Sequence, residues 1–76
     1  MNKADRRKLK KLTESLEVVQ VDLEEMRDDL QERLDNLQDY FTESPRIYSL
    51  EFETVNIDDA ITDLSESISK LEEVIG

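Results

Sequence analysis

Apolar residues recur along the first half of the chain at Leu9, Leu12, Leu16, Val19, Leu23, Met26 and Leu30, in alternating steps of three and four. That is the 3.5-residue period of a helix packing along one seam, as in a coiled coil. The steps onward to Leu34, Leu37 and Phe41 are four, three and four, so Met26, Leu30 and Leu34 are joined by two successive fours. Such a stutter locally unwinds a supercoil. Neither glycine nor proline interrupts residues 1–44. The pattern predicts one helix over about residues 4–41, a rod of roughly 57 Å at 1.5 Å per residue.

Thr42, Glu43, Ser44 and Pro45 make the predicted turn. Serine before proline suits an N-cap followed by the first helical residue, where the missing proline N–H is never used. Because the residue before a proline resists αR geometry, the first helix is expected to end by Glu43. Ile57, Ile61, Leu64, Ile68, Leu71 and Ile75 resume the 4-3 rhythm and predict a helix over 57–75. Residues 47–55 admit two readings. As helix, Ile47, Leu50 and Thr54 extend the seam, and Tyr48, Phe52 and Val55 form a second stripe. As strand, Leu50, Phe52 and Thr54 alternate with Glu51, Glu53 and Val55, and Asn56 caps a shorter helix with Asp58 and Asp59 in its first turn. The continuous helix over 45–75 is favoured, since an isolated strand has no partner strand here.

The fold class that follows is all-α: a single domain over residues 1–76, an antiparallel, coiled-coil-like helical hairpin. One hairpin buries one face of each helix, which leaves Val18, Val21, Tyr48, Phe52 and Val55 uncovered. Leftover apolar residues on a rod this small point to a second copy, so a homodimer closing into an antiparallel four-helix bundle is expected.

Charge sharpens this picture. The 76 residues carry a net charge of −10, unevenly spread. Residues 1–11 hold Lys3, Arg6, Arg7, Lys8, Lys10 and Lys11 against Asp5, a net +5; the other 65 hold Arg27, Arg33, Arg46 and Lys70 against 19 acids, a net −15. An antiparallel hairpin lays the basic end beside Glu66, Glu72 and Glu73, where the charges are expected to pair. A body this acidic repels phosphate backbones, so the expected partner is a basic protein surface and not nucleic acid itself. No stretch has the apolar length of a membrane span and no signal-peptide core follows Met1, so a cytoplasmic location without a membrane partner is expected.

Cysteine and histidine are both absent, which removes disulfides and every scheme that depends on a thiol or an imidazole. Acids at three- and four-residue steps could in principle hold magnesium from facing helices, as E-x-x-E pairs do in all-α nucleotide pyrophosphohydrolases. Here the heptad places them outward, away from a bundle interior, and a solvated acidic face is the simpler reading. No calcium loop, glycine-rich phosphate loop or nucleophile–base pair is present. No catalytic residue, cofactor or metal site is expected. All four aromatics fall between residues 40 and 52: Tyr40, Phe41, Tyr48 and Phe52. They either plug the end of the bundle, with Phe41 continuing the seam, or form a contact surface with Arg46, Tyr40 and Tyr48 facing outward.

Glu32-Arg33-Leu34-Asp35-Asn36-Leu37, followed by Ser44-Pro45-Arg46 and an acidic second helix, resembles the short acidic helical-hairpin proteins encoded by bacteriophages and prophages. Those proteins share a basic start and an E-x-x-D-N-L segment before the turn. Gln38 stands where they place a proline, so the first helix is expected to run further here. The resemblance brings no catalytic residues and no settled activity; it implies a protein acting in the cytoplasm of an infected or lysogenic bacterium. In that setting the leading expectation is a non-enzymatic, nucleic-acid-mimicking inhibitor of a host nucleic-acid-binding protein, for example a CRISPR effector. Glu24, Glu25, Asp28, Asp29, Glu32 and Asp35 would stand in for phosphates, and Tyr40, Arg46 and Tyr48 would add contacts. The alternative is a structural coiled coil or phage assembly protein, indifferent to charge reversal at Asp28 and Asp29.

Overall fold

Asn2 sets the start of the first helix. Its backbone is extended (φ −84°, ψ 177°) and its side-chain oxygen accepts the Asp5 amide proton at 2.8 Å, satisfying a donor that the first turn leaves without a partner. Asp5 adds a carboxylate at the positive end of the helix dipole, offsetting the cations around it. In this computed structural model, which describes residues 1–41 and 43–76, helix α1 spans Lys3–Tyr40. It ends at Phe41, which is extended (φ −133°, ψ 131°) while its N–H still donates to the Leu37 carbonyl. Thr42, part of the predicted turn, lies outside the described residues.

Ser44 opens helix α2, Pro45–Ile75, with its Oγ accepting from the Ile47 amide at 3.2 Å and proline in the first turn. Residues 47–55 are helical, and no strand occurs among the described residues. The polar side chains of this segment bond back onto their own helix. Thr54 Oγ1 donates to the Leu50 carbonyl and Asn56 Nδ2 to the Phe52 carbonyl, both at 2.7 Å, so Asn56 does not cap. The chain is thus an antiparallel helical hairpin, 57 × 14 × 14 Å.

Along α2 the seam is the one the sequence predicts. Ile47, Leu50, Thr54, Ile61 and Ile68 are buried, with Ile57, Leu64, Leu71 and Ile75 half-buried between them. Along α1 it is not. Leu9, Leu16, Leu23, Leu30, Leu34 and Leu37 face α2, but Leu12, Val19 and Met26 are 53%, 47% and 54% exposed. Thr13, Gln20 and Arg27 take their places. The true seam is 9, 13, 16, 20, 23, 27, 30, 34, 37, an unbroken 4-3 register matching the 3-4 register of α2 run in reverse. The predicted stutter therefore does not exist. It arises from splicing two different columns, one through Met26 and one through Leu34.

The register is set beside the turn. Leu30 and Leu34 pack there with Ile47 and Leu50, flanked by Leu37 and Ile57. Extending that 4-3 spacing towards the N-terminus lands on polar side chains, and each is accommodated locally. Thr13, 3% exposed, donates its hydroxyl to the Leu9 carbonyl at 2.8 Å. Gln20 donates to Glu24 at 3.1 Å. Arg27 bridges the hairpin, 2.9 Å from Asp58 and 3.2 Å from Asp28, and these hydrogen bonds raise its already high pKa.

The open end does not pair as expected. Among the described residues the ion pairs are Arg27–Asp28 and Arg27–Asp58, and no cation of residues 1–11 meets Glu66, Glu72 or Glu73. Arg6 instead donates to the Ile75 carbonyl at 3.4 Å. Glu17 and Glu72 meet across the hairpin, and their hydrogen bond, followed by desolvation and repulsion from Glu72 and Glu14, raises the Glu17 pKa. A carboxyl raised in the folded state stabilises below its unfolded pKa and loses that contribution as pH rises through the folded value. Glu17→Gln should therefore melt above the wild type at neutral pH and converge with it in acid. Circular dichroism melts from about pH 3 to about pH 7 check this; a constant offset across that range would disprove the raised Glu17 pKa.

Candidate protein-interaction surface

The acidic face is built by heptad geometry. Glu25, Asp28, Asp29, Glu32 and Asp35 sit on the side of α1 turned from α2, all exposed, and Glu24 is half-buried at its edge. Residues three and four apart on a helix lie about 5–6 Å from one another, so the six carboxylates form a ladder roughly 17 Å long. Three of them are held in place. Glu24 accepts from Gln20, Asp35 accepts from Gln31 at 2.9 Å, and Asp28 is tied to Arg27. Ladder and tip are neighbours along the rod, since Tyr40 follows Asp35 by five positions, roughly 7.5 Å of helix.

At the tip the plugging arrangement is overturned. Tyr40 is 83% exposed, Phe41 55%, Tyr48 57% and Phe52 71%. Phe41 cannot continue the seam because α1 has already ended and its backbone is extended. Ile47, from the next helix, fills the end of the core instead. Tyr48, Phe52 and Val55, spaced i, i+4 and i+7, make an apolar stripe on the outer face of α2, and Arg46 stands exposed beside them. Sequence spacing places Tyr48 and Phe52 on that stripe, but exposure of all four aromatics depends on where α1 stops.

A second surface escaped sequence reading altogether. Leu12, Val19 and Met26 look like the seam and are in fact an uncovered apolar column on the flank of α1. Leu34 carried the signal, because Arg33 and not Leu34 continues the seven-residue line of 12, 19 and 26.

Among the described residues no three His, Cys, Asp or Glu side chains come together as a metal site requires, and no helix is long and apolar enough to cross a membrane. Comparison with protein-family models, with curated proteins and with solved structures finds no match to this chain.

Proposed function

We propose that the chain is a non-catalytic binding module of phage type that inhibits a host protein by occupying its basic, nucleic-acid-holding surface, and that it acts as a dimer completing a four-helix bundle. The observation that carries the reading is the exposure of all four aromatics at one end of the acidic rod. Tyrosine, phenylalanine and arginine supply much of the energy of protein interfaces, and aromatic side chains, with two χ angles each, cost little entropy to dock. The carboxylate ladder steers the rod to a basic groove and competes there with phosphates. An effector of bacterial nucleic-acid defence, such as a CRISPR effector, has the required surface chemistry.

A structural role is the second reading, favoured by the exposed column of Leu12, Val19 and Met26. Capture from bacterial lysate separates the two. Tagged protein should retain a nucleic-acid-binding protein that duplex DNA displaces and that is released at about 0.5 M salt, where exposed charge interactions are screened. Asp28→Lys with Asp35→Lys, and separately Tyr48→Ala, should each weaken capture about tenfold or more at unchanged helicity, the size of a single good contact. Capture that ignores both salt and these variants would reject the inhibitor reading.

A further inference from the structure

The seven-residue line through the uncovered column runs Asp5, Leu12, Val19, Met26, Arg33. All five are exposed, and among the described residues neither Asp5 nor Arg33 makes an ion pair. The order is an acid, three apolar residues and a base, placed symmetrically about Val19. A seven-residue repeat stays on one line of a helix apart from roughly 20° of drift per heptad, which supercoiling takes up.

From this placement we infer that α1 pairs with α1 of a second copy, antiparallel, about a two-fold axis at Val19. Asp5 then faces the partner's Arg33, Leu12 faces the partner's Met26, and Val19 meets the partner's Val19. Two-fold symmetry makes each pair twice. Lys8, one turn beyond Asp5, comes beside the partner's Asp29. The parallel alternative sets Asp5 against the partner's Asp5 and Arg33 against the partner's Arg33, and is disfavoured on both ends.

The same arrangement answers two features of the single hairpin. Residues 3–11 of one copy run along residues 27–35 of the other, so the basic end, without an acidic partner in its own hairpin, lies by Asp29, the acid that flanks the column as Lys8 does, while Asp28 and Glu32 stay on the outer face. That attraction offsets the repulsion between two acidic bodies. It also covers Leu12, Val19 and Met26 while leaving the aromatic tips free at opposite ends. An unrelated partner would need no symmetry in the column; a second copy does. The geometry rests on the dimer proposed above and can fail without it.

The chain has no cysteine, so single substitutions report directly. Sedimentation equilibrium should give twice 8.9 kDa at micromolar concentration, and Val19→Asp should raise the dimer Kd roughly 30-fold or more with helicity retained. Under mild oxidation Val19→Cys should form a covalent dimer, since a disulfide needs Cα atoms only roughly 4.4–6.8 Å apart. A mixture of Leu12→Cys and Met26→Cys proteins should cross-link to each other and not to themselves, and Val21→Cys, on another face, should stay uncoupled. Asp5→Arg should weaken the dimer and Asp5→Arg with Arg33→Asp should restore it. A monomer at 8.9 kDa overturns the dimer and its geometry together. A dimer in which Leu12→Cys cross-links to itself, or Val19→Cys does not couple, overturns the geometry alone. Capture of a foreign protein by wild type but not by Val19→Asp, without self-association, would assign the column to another occupant and equally overturn it.

Discussion

Ile47→Ala should cost about 2–5 kcal/mol, the range for removing a buried aliphatic side chain and leaving a cavity. Ile47 is 3% exposed, the most deeply buried apolar residue among those described, and it touches the cluster of Leu30, Leu34 and Leu50 that closes the hairpin beside the turn. A chain of this length has roughly 4–11 kcal/mol of stability in all, so one substitution removes a large fraction. The melting temperature should fall by at least about 8 °C, read by circular dichroism at one fixed protein concentration. Val18→Ala, on the exposed back of α1, should stay within about 0.5 kcal/mol of wild type. The contrast is the test. If Ile47→Ala melts like Val18→Ala, the cluster beside the turn does not anchor the fold.

That cluster also explains what could and could not be read from the sequence. In α2 one column pair runs the full length, Ile47 to Ile75 in steps of three and four, whereas the second stripe of Tyr48, Phe52 and Val55 ends after two turns. Its seam was therefore legible, as were the Ser44 cap and Pro45 start, whose chemistry is local. In α1 the leucine spine at 9, 16, 23, 30 and 37 serves two neighbouring columns. One holds Leu12, Val19 and Met26, the other Thr13, Gln20, Arg27 and Leu34. Hydrophobic patterning selects the first. The structure uses the second, because a long-range contact at the turn fixes the register and the rest of the helix follows it. Periodicity reports which positions share a line, not which line a partner helix takes.

The candidate surface divides the same way. Heptad position alone puts Glu25, Asp28, Asp29, Glu32 and Asp35 outward, and there they stand, with Glu24 half-buried at the edge. Exposure of the aromatics turned on one residue of helix length, with α1 stopping at Tyr40 so that Phe41 falls outside it. Pairing of the basic end with Glu66, Glu72 and Glu73 has only proximity along an antiparallel hairpin in its favour. Proximity leaves exposed side chains their freedom, and exposed ion pairs gain too little to hold them.

Exchanging two neighbours, Arg33→Leu with Leu34→Arg, should move the whole seam. The composition and net charge are unchanged, yet the apolar residues would now read 9, 12, 16, 19, 23, 26, 30, 33, 37, one column pair without interruption. If Leu34 sets the register, α1 turns about its axis and lays Leu12, Val19 and Met26 against α2, releasing Gln20 and Arg27 to solvent. Each of the three apolar residues is about half exposed in the present hairpin, so burying the remainder contributes roughly 1 kcal/mol apiece. The melting temperature should rise by about 10 °C or more. The uncovered column would disappear with it, and the self-association that depends on it should be lost in sedimentation. Should the turn itself dictate which side α2 descends, the outcome has the opposite sign. The guanidinium introduced by Leu34→Arg would then enter the cluster of Leu30, Ile47 and Leu50, an unpaired charge in an apolar site, and the hairpin would melt far below wild type. The two outcomes differ in sign as well as size, so a single melting curve decides whether Leu34 or the turn chooses the face of α1 that α2 covers.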